Sequence, residues 1–414
     1  MKAPSRQQLQ RNLSRALMLS FFQHFMLVMP IIVILFESKG VPLSDVLLLQ
    51  AWFAALIVIL EVPSGYVADL FGRRGAMMIG GVFLGLGSTW LVFAHGFWPL
   101  AAFEACLAVA FSLISGADLA LLYDTELALA ESAEQKQKSV RRLFFASDLA
   151  EAVAAVACSA LLLVTVLDTV VWVQAACGWI PFLVAFTVVE PPRERLAKTG
   201  HGRNFAGILR AVLLDSRILR LTFLAMAIWG LTTMYAVWLL QALWQAKGVE
   251  VVHFGYLWGA LTLLSAVAGR YAQWLEERLG TTTMLLVIGI GPVFGYLGLG
   301  LLGALGGIAM CSVFFVCRGF GAVILRDALN RRVSSRFRAT ANSLASFGFR
   351  AAFALTAPLV GGALDLWGLN MTLLLLAAAS FGIFVTLILP LILAARGIRP
   401  RAGAEAPSNP VPNP

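Results

Sequence analysis

Twelve apolar runs, each close to twenty residues, constrain this chain more than any other feature: 16–36, 45–68, 76–94, 97–122, 143–166, 169–189, 218–243, 254–275, 282–303, 306–327, 340–364 and 371–395. A helix rises about 1.5 Å per residue, so about 20 apolar residues cross a hydrocarbon layer about 30 Å thick. Inside lipid each backbone polar group must be satisfied within its own segment, so runs of this length read as transmembrane helices. Composition agrees. Hydrophobic residues make up 60% of the chain and charged residues 13%, against roughly a quarter charged in soluble domains. A soluble core of this kind would lack the polar surface to cover itself. The first run follows Lys2, Arg6, Arg11 and Arg15, as a signal peptide would, but no small-residue cleavage site follows it, and we expect a retained first helix. Joints as short as His95-Gly96 and Ala304-Leu305 make neighbouring spans antiparallel hairpins.

The basic residues give the orientation. With twelve spans both termini share one side, and 26 of the 31 Lys and Arg residues fall there; only Lys39 and Lys247 fall opposite, and Arg270, Arg318 and Arg350 lie within spans. The positive-inside rule then puts both ends in the cytoplasm, as expected for a multi-pass protein of the inner or plasma membrane. The net charge of +9 is spread over short clusters between spans, which suits anionic lipid headgroups and not nucleic acid. The five cysteines lie in apolar runs without a CxxC pair, so neither a disulfide framework nor a metal site is expected, and no cofactor.

The chain divides at its longest polar stretch. We expect a six-helix bundle over 1–189, a cytoplasmic linker over 190–217, a second bundle over 218–395 and a disordered tail over 396–414. In the linker, Phe205, Ile208, Leu209, Val212 and Leu213 recur near the helical period, as in a short interfacial helix. The halves repeat weakly at a shift near 200 residues: Gly116 and Asp124 with Gly319 and Asp327, Gly65 and Ala68 with Gly269 and Ala272, Arg142 and Ser147 with Arg338 and Ser343. Parallel duplication of this kind is a transporter signature.

Between spans 2 and 3 stands Gly65-Tyr-Val-Ala-Asp69-Leu-Phe-Gly72-Arg73-Arg74. The glycines suit a tight helix–helix turn, and the arginines hold the loop at the surface. Asp69, a carboxylate at the membrane edge, needs a partner. The segment resembles the signature loop of the major facilitator superfamily, roughly G-x-x-x-D-x-x-G-R-[RK], at the helix junction where that family carries it. The resemblance implies an all-α integral membrane protein with twelve transmembrane helices in two pseudo-symmetric six-helix bundles that rock about a central cavity. It also implies gate contacts between Asp69 and the start of span 11 (339–342), and between Arg73 and Asp124. The drug-exporting pattern is incomplete: span 4 carries Glu104 and Asp118 where an arginine would stand, and span 5 lacks the glycine-proline motif of antiporters.

Ionisable residues within spans are functional candidates. The first half holds His24, Glu61, Glu104, Asp118, Asp148 and Glu151, and the second holds Arg270, Arg318 and Arg350. In one reading Glu151, Asp118, Asp148, Glu104 and His24 carry protons while Arg318 and Arg350 hold an anionic part of a substrate. In the other these are structural groups: Asp118 and Asp148 pair with Arg141 or Arg142, Glu104 reaches water near the outer surface, and His24 bonds a neighbouring helix. Trp229, Tyr235 and Gln241 on span 7 are candidates to line a ligand site, with an interfacial aromatic belt as the competing reading for Trp238 and Trp244. No phosphate-cradling loop is present, and His24, His95, His201 and His253 are scattered, which speaks against an ATP-driven pump and a membrane enzyme. The expectation is a monomeric secondary transporter of a small organic molecule in the lipid bilayer, coupled to protons and working as an exporter. Import of an anionic nutrient or siderophore-like molecule is the alternative.

Overall fold

The computed structural model describes residues 4–129, 133–191, 217–333 and 338–396, excepting the side chains at 62, 65, 69, 133–138, 339, 340 and 396. The interfacial helix expected over 205–213 and the tail after 396 lie outside these residues. Among the described residues every regular element is helical. The spans are α1 (Arg6–Ser38), α2 (43–71), α3 (73–93), α4 (Phe97–Ala128), α5 (Ala133–Leu162) and α6 (Leu167–Thr187), then α7 (Arg217–Ala246), α8 (Val251–Leu279), α9 (Thr281–Leu301), α10 (Ala304–Arg332), α11 (338–367) and α12 (369–396). Among the described residues eleven helical runs are long and apolar enough to cross a membrane. The last of them, Ala341–Ala395, would be about 80 Å long if straight. It folds back at Gly368, where φ is +71°, and supplies two spans, which makes twelve. The face carrying both chain ends is called here the terminal face, and the opposite one the distal face.

Tight turns on the distal face expose the duplication more sharply than the shifts near 200. Lys39-Gly40-Val41 after α1 and Lys247-Gly248-Val249 after α7 are the same tripeptide at a shift of 208. Both glycines adopt positive φ, +84° and +80°, the helix-ending conformation that a side chain disfavours. Val41 N–H donates to Phe36 O and Val249 N–H to Trp244 O. Lys39 Nζ donates to Val92 O at the end of α3, and Lys247 Nζ to Leu302 O just past α9. The two basic residues of this face are therefore equivalent ties within each bundle.

Span 1, expected to be continuous over 16–36, is interrupted. Its first helix ends at His24, Met29–Ile31 form a 3-10 turn containing Pro30, and a second helix covers Ile32–Ser38. Proline removes a backbone donor and crowds the preceding turn. Glutamines from neighbouring helices satisfy the freed groups: Leu27 N–H donates to Gln174 Oε1 at 2.7 Å, and Val33 N–H to Gln241 Oε1 at 2.9 Å, while Gln241 Nε2 donates to Met29 O at 3.0 Å. The Gln241 amide thus stands between the carbonyl and the N–H that a regular helix would pair directly.

The distribution of the core shows how the bundles sit. In the distal half one continuous apolar cluster takes residues from all twelve spans, among them Val33, Leu49, Leu91, Phe103, Ala155, Val171, Leu240, Trp258, Tyr296, Phe314, Phe353 and Leu373. In the terminal half the core splits. One cluster holds only first-bundle residues, such as Leu19, Met77, Leu121 and Val184, and two others hold only second-bundle residues, such as Ile288 and Ile324, or Phe223 and Leu344. The bundles share one apolar core on the distal side and have separate cores on the terminal side. Two close approaches make the distal seam. A Cβ on Gly255 of α8 would run into the Ala155 carbonyl of α5, and one on Gly361 of α11 would meet Ser44 O of α2 at 2.9 Å. Small residues matter here because lipid gives helices no hydrophobic reason to associate, and backbone proximity must do so.

Candidate functional site

The gap between the parted halves is a cavity of about 980 Å³, at the upper end of the range for small-molecule sites. Its lining runs from Phe103 and Glu104 in the distal half to Ala68 and Arg73 at the terminal face, so it opens to the terminal side and is sealed distally by the shared core.

Glu104 sits at the deep end. Its side chain is 97% buried, against the expectation that it reaches outer water. The Phe97–Ala128 helix turns it inward onto Gln50, whose Nε2 donates to Glu104 Oε1 at 2.7 Å. Phe53, Phe103, Phe111, Phe349 and Phe353 form apolar walls, joined by Trp238. The belt reading fails for span 7: Trp238 lines the cavity, and Trp244 is fully buried against Phe254. Glu61 and Arg350 face each other electrostatically across the bundles, and Ser343 Oγ donates to Glu61 Oε1 at 2.8 Å. His24 lines the cavity at the α1 break. Its Nδ1 lies 2.9 Å from Ser20 O in its own helix, not a neighbouring one, and its ring meets Phe111 edge-on.

A second group of charges lies where α5 meets the second bundle. Trp258 Nε1 of α8 donates to Glu151 Oε1 at 3.1 Å, and Asp148 lies within electrostatic reach of Glu151, His24 and Arg318. Among the described residues no ion pair joins Asp118 or Asp148 to Arg141 or Arg142. Asp118 is buried and accepts from the Leu119 N–H.

Of the candidate substrate ligands, Arg350 lines the cavity and the other four are placed elsewhere. Arg318 is exposed. Trp229 Nε1 donates to Ile288 O, the Tyr235 hydroxyl lies 2.5 Å from Thr356 Oγ1, and Gln241 is committed to the α1 break. Tyr235 and Gln241 of span 7 bond to other helices, while Trp238, spaced three residues from each, lines the cavity.

At the signature loop, Arg73 Nε lies 3.4 Å from Asp124 Oδ2. The Asp69 side chain, and with it the expected contact to α11, lies outside the described residues. Glu190 was missed by the sequence reading, which placed it at the head of the linker. Its two carboxylate oxygens accept from the Arg73 and Arg74 backbone N–H groups, each at 3.0 Å, capping the exposed start of α3 where partial positive charge gathers. Gly72 is required twice, by its φ of +82° and because a Cβ would meet Glu190 Oε1 at 2.9 Å. Arg74 Nη2 donates to Phe186 O, and its guanidinium lies over the Phe186 ring. The available signal was a carboxylate at the end of span 6, on the same face as Arg73-Arg74.

Twelve spans in two bundles around a one-sided cavity are the architecture of a secondary transporter. The family model described as Major Facilitator Superfamily matches residues 14–338, and the chain belongs to that family. Solved structures share the fold. The nucleoside transporter NupG superposes with a TM-score of 0.72 at 13% identity, covering 92% of this chain and 98% of that one. A bacterial homolog of the human lysosomal transporter Spinster, in an inward-facing and unoccupied conformation, gives 0.72 at 15% identity over 96% and 98%. A POT family transporter in complex with 5-aminolevulinic acid gives 0.69 at 13% identity over 92% and 96%. No curated protein matches the sequence.

Proposed function

We propose that this transporter exports a small organic solute in exchange for protons, acting as a monomer in the inner or plasma membrane with both termini in the cytoplasm. The two bundles are taken as 1–189 and 218–395, joined by 190–217. The orientation rests on the 26-to-2 division of Lys and Arg between the two sides, which makes the terminal face cytoplasmic and the cavity open to solutes inside the cell. Coupling rests on one observation: the Glu151 carboxylate of the first bundle accepts from Trp258 Nε1 of the second. A titratable group bonded across the moving seam changes the stability of one state when it gains a proton. Asp148 lies within electrostatic reach of Glu151, and also of His24 and Arg318. Asp118 and Glu104 are further proton-carrying candidates, and Gly65, Asp69, Gly72, Arg73, Arg74 and Asp124 form the cytoplasmic gate.

Import of an anion is the second reading, and it rests on Arg350 in the cavity wall. The Glu61 carboxylate close to that arginine weakens it. Solute flux in inverted and right-side-out vesicles under an imposed pH gradient separates the two directions. Glu151→Gln is expected to abolish the response to the gradient while the protein still inserts; an unaltered response assigns Glu151 a structural role.

A further inference from the structure

The charges lining the cavity do not cancel, and the remainder identifies a ligand chemistry. Among the described residues five that line it are ionisable: His24, Glu61, Arg73, Glu104 and Arg350. Arg73 lies beside Asp124, and Arg350 is within electrostatic reach of Glu61. His24 has Ser20 O as its partner. Glu104 has Gln50, a neutral donor, and among the described residues no Lys, Arg or His forms an ion pair with it. One buried carboxyl at the closed end of the cavity thus has no counter-charge among the described residues, so that its ionised form is costly unless a proton or a cation visits it.

Two further features favour positive charge. The first helix of α1 ends at His24, itself a lining residue, so the negative end of its dipole lies at the cavity wall. The walls beside and above Glu104 are aromatic: Phe103 and Phe111 on its own helix, Phe53 edge-on to Phe111, and Trp238 from the other bundle. Aromatic faces attract a desolvated cation and accept an apolar body. Trp238 is 95% buried, and its Nε1 meets no acceptor among the described residues, so one donor remains for a ligand.

We infer that the cavity takes a lipophilic organic monocation, whose charge meets the Glu104 carboxylate and whose body packs against Phe53, Phe103, Phe111 and Trp238. This rests on the reading of the cavity as the substrate site, and it turns the arginine-based expectation of an anionic ligand around. The Arg350 charge is opposed by Glu61 within electrostatic reach, and Glu104 is the charge that selects.

Equilibrium dialysis with detergent-solubilised protein tests this without any gradient. Tetraphenylphosphonium and tetraphenylborate have nearly the same shape and opposite charge, and triphenylphosphine oxide is a neutral companion. The cation is expected to bind saturably, the borate at least tenfold more weakly. Glu104→Gln should weaken the cation at least tenfold, and Glu104→Asp should keep the preference for it. Should Glu104→Gln fail to fold, the wild-type comparison and Glu104→Asp still decide. Equal or tighter binding of the borate, or full cation affinity in folded Glu104→Gln, overturns the charge assignment and leaves the cavity reading standing. If none of the three probes binds, both fall.

Discussion

Gln241→Leu should shift the conformational balance toward a state open on the distal side. The Gln241 amide makes two hydrogen bonds from the second bundle to the first, to Val33 N–H at 2.9 Å and Met29 O at 3.0 Å. Leucine fills similar volume and makes neither. Interhelical hydrogen bonds in membranes average about 0.6 kcal/mol and reach about 1.7, so two of them give about 1–3 kcal/mol, which is about 5- to 150-fold in a two-state ratio. The lower end is favoured, because Val33 N–H and Met29 O are four residues apart and can pair with each other once the amide is gone. Spin labels at Trp98 and Leu305 report on the opening: these residues are 79% and 85% exposed and begin α4 and α10, one in each bundle, on the distal face. Double electron–electron resonance should show the long-distance population growing at the expense of the short one. An unchanged distribution would refute the view that Gln241 ties the bundles together.

Two other outcomes follow from the same geometry. Glu190→Ala removes both acceptors at the start of α3, and should cost about 0.5–2 kcal/mol, seen as a lower unfolding temperature and faster proteolysis at the turn around Gly72. Gly255→Leu forces a side chain into the Ala155 carbonyl and toward Ser159 Oγ, 2.6 Å from the ideal Cβ; transport should be lost with membrane insertion retained, and the Trp98–Leu305 labels should move apart.

The membrane-spanning helices were legible because each span must satisfy its own backbone and cover its length with apolar side chains, requirements written locally in the sequence. The signature loop was legible in part for the same reason, since Gly72 and Arg73 act within a few residues of each other. Glu190 was not, because its partners lie 116 and 117 residues away, and nothing local says that a linker carboxylate folds back onto a helix start. The break in α1 had a local sign in Pro30, whereas its repair by Gln174 and Gln241 depends on tertiary contact. Helical spacing grouped Tyr235, Trp238 and Gln241 correctly on one helix. It could not say that Trp238 meets the cavity while Gln241 meets α1, because that depends on how far the two bundles are rotated apart. The duplicated Lys-Gly-Val turns were also within reach of the sequence: Lys39 and Lys247 stood out as exceptions to the charge bias, and being exceptions at equivalent places is what marks them as structural.

The duplication sharpens the meaning of what is not duplicated. At a shift of 208, Gln241 corresponds to Val33, the residue whose N–H it accepts, so α1 and α7 touch at equivalent points where a pseudo-twofold axis would pass. Two identical helices could meet there symmetrically, each unbroken. Instead one contributes a proline-opened backbone and the other the amide that fills it, a contact that neither half could make with a copy of itself. The titratable groups diverge in the same way, with Glu104, Asp148 and Glu151 in the first bundle and Arg318 and Arg350 in the second. In the function proposed above, a symmetric scaffold supplies two bundles that rock against each other, and the unequal side chains are what would give the two states different affinities for protons and solute. Without that difference no ligand could move the equilibrium, however tightly it bound.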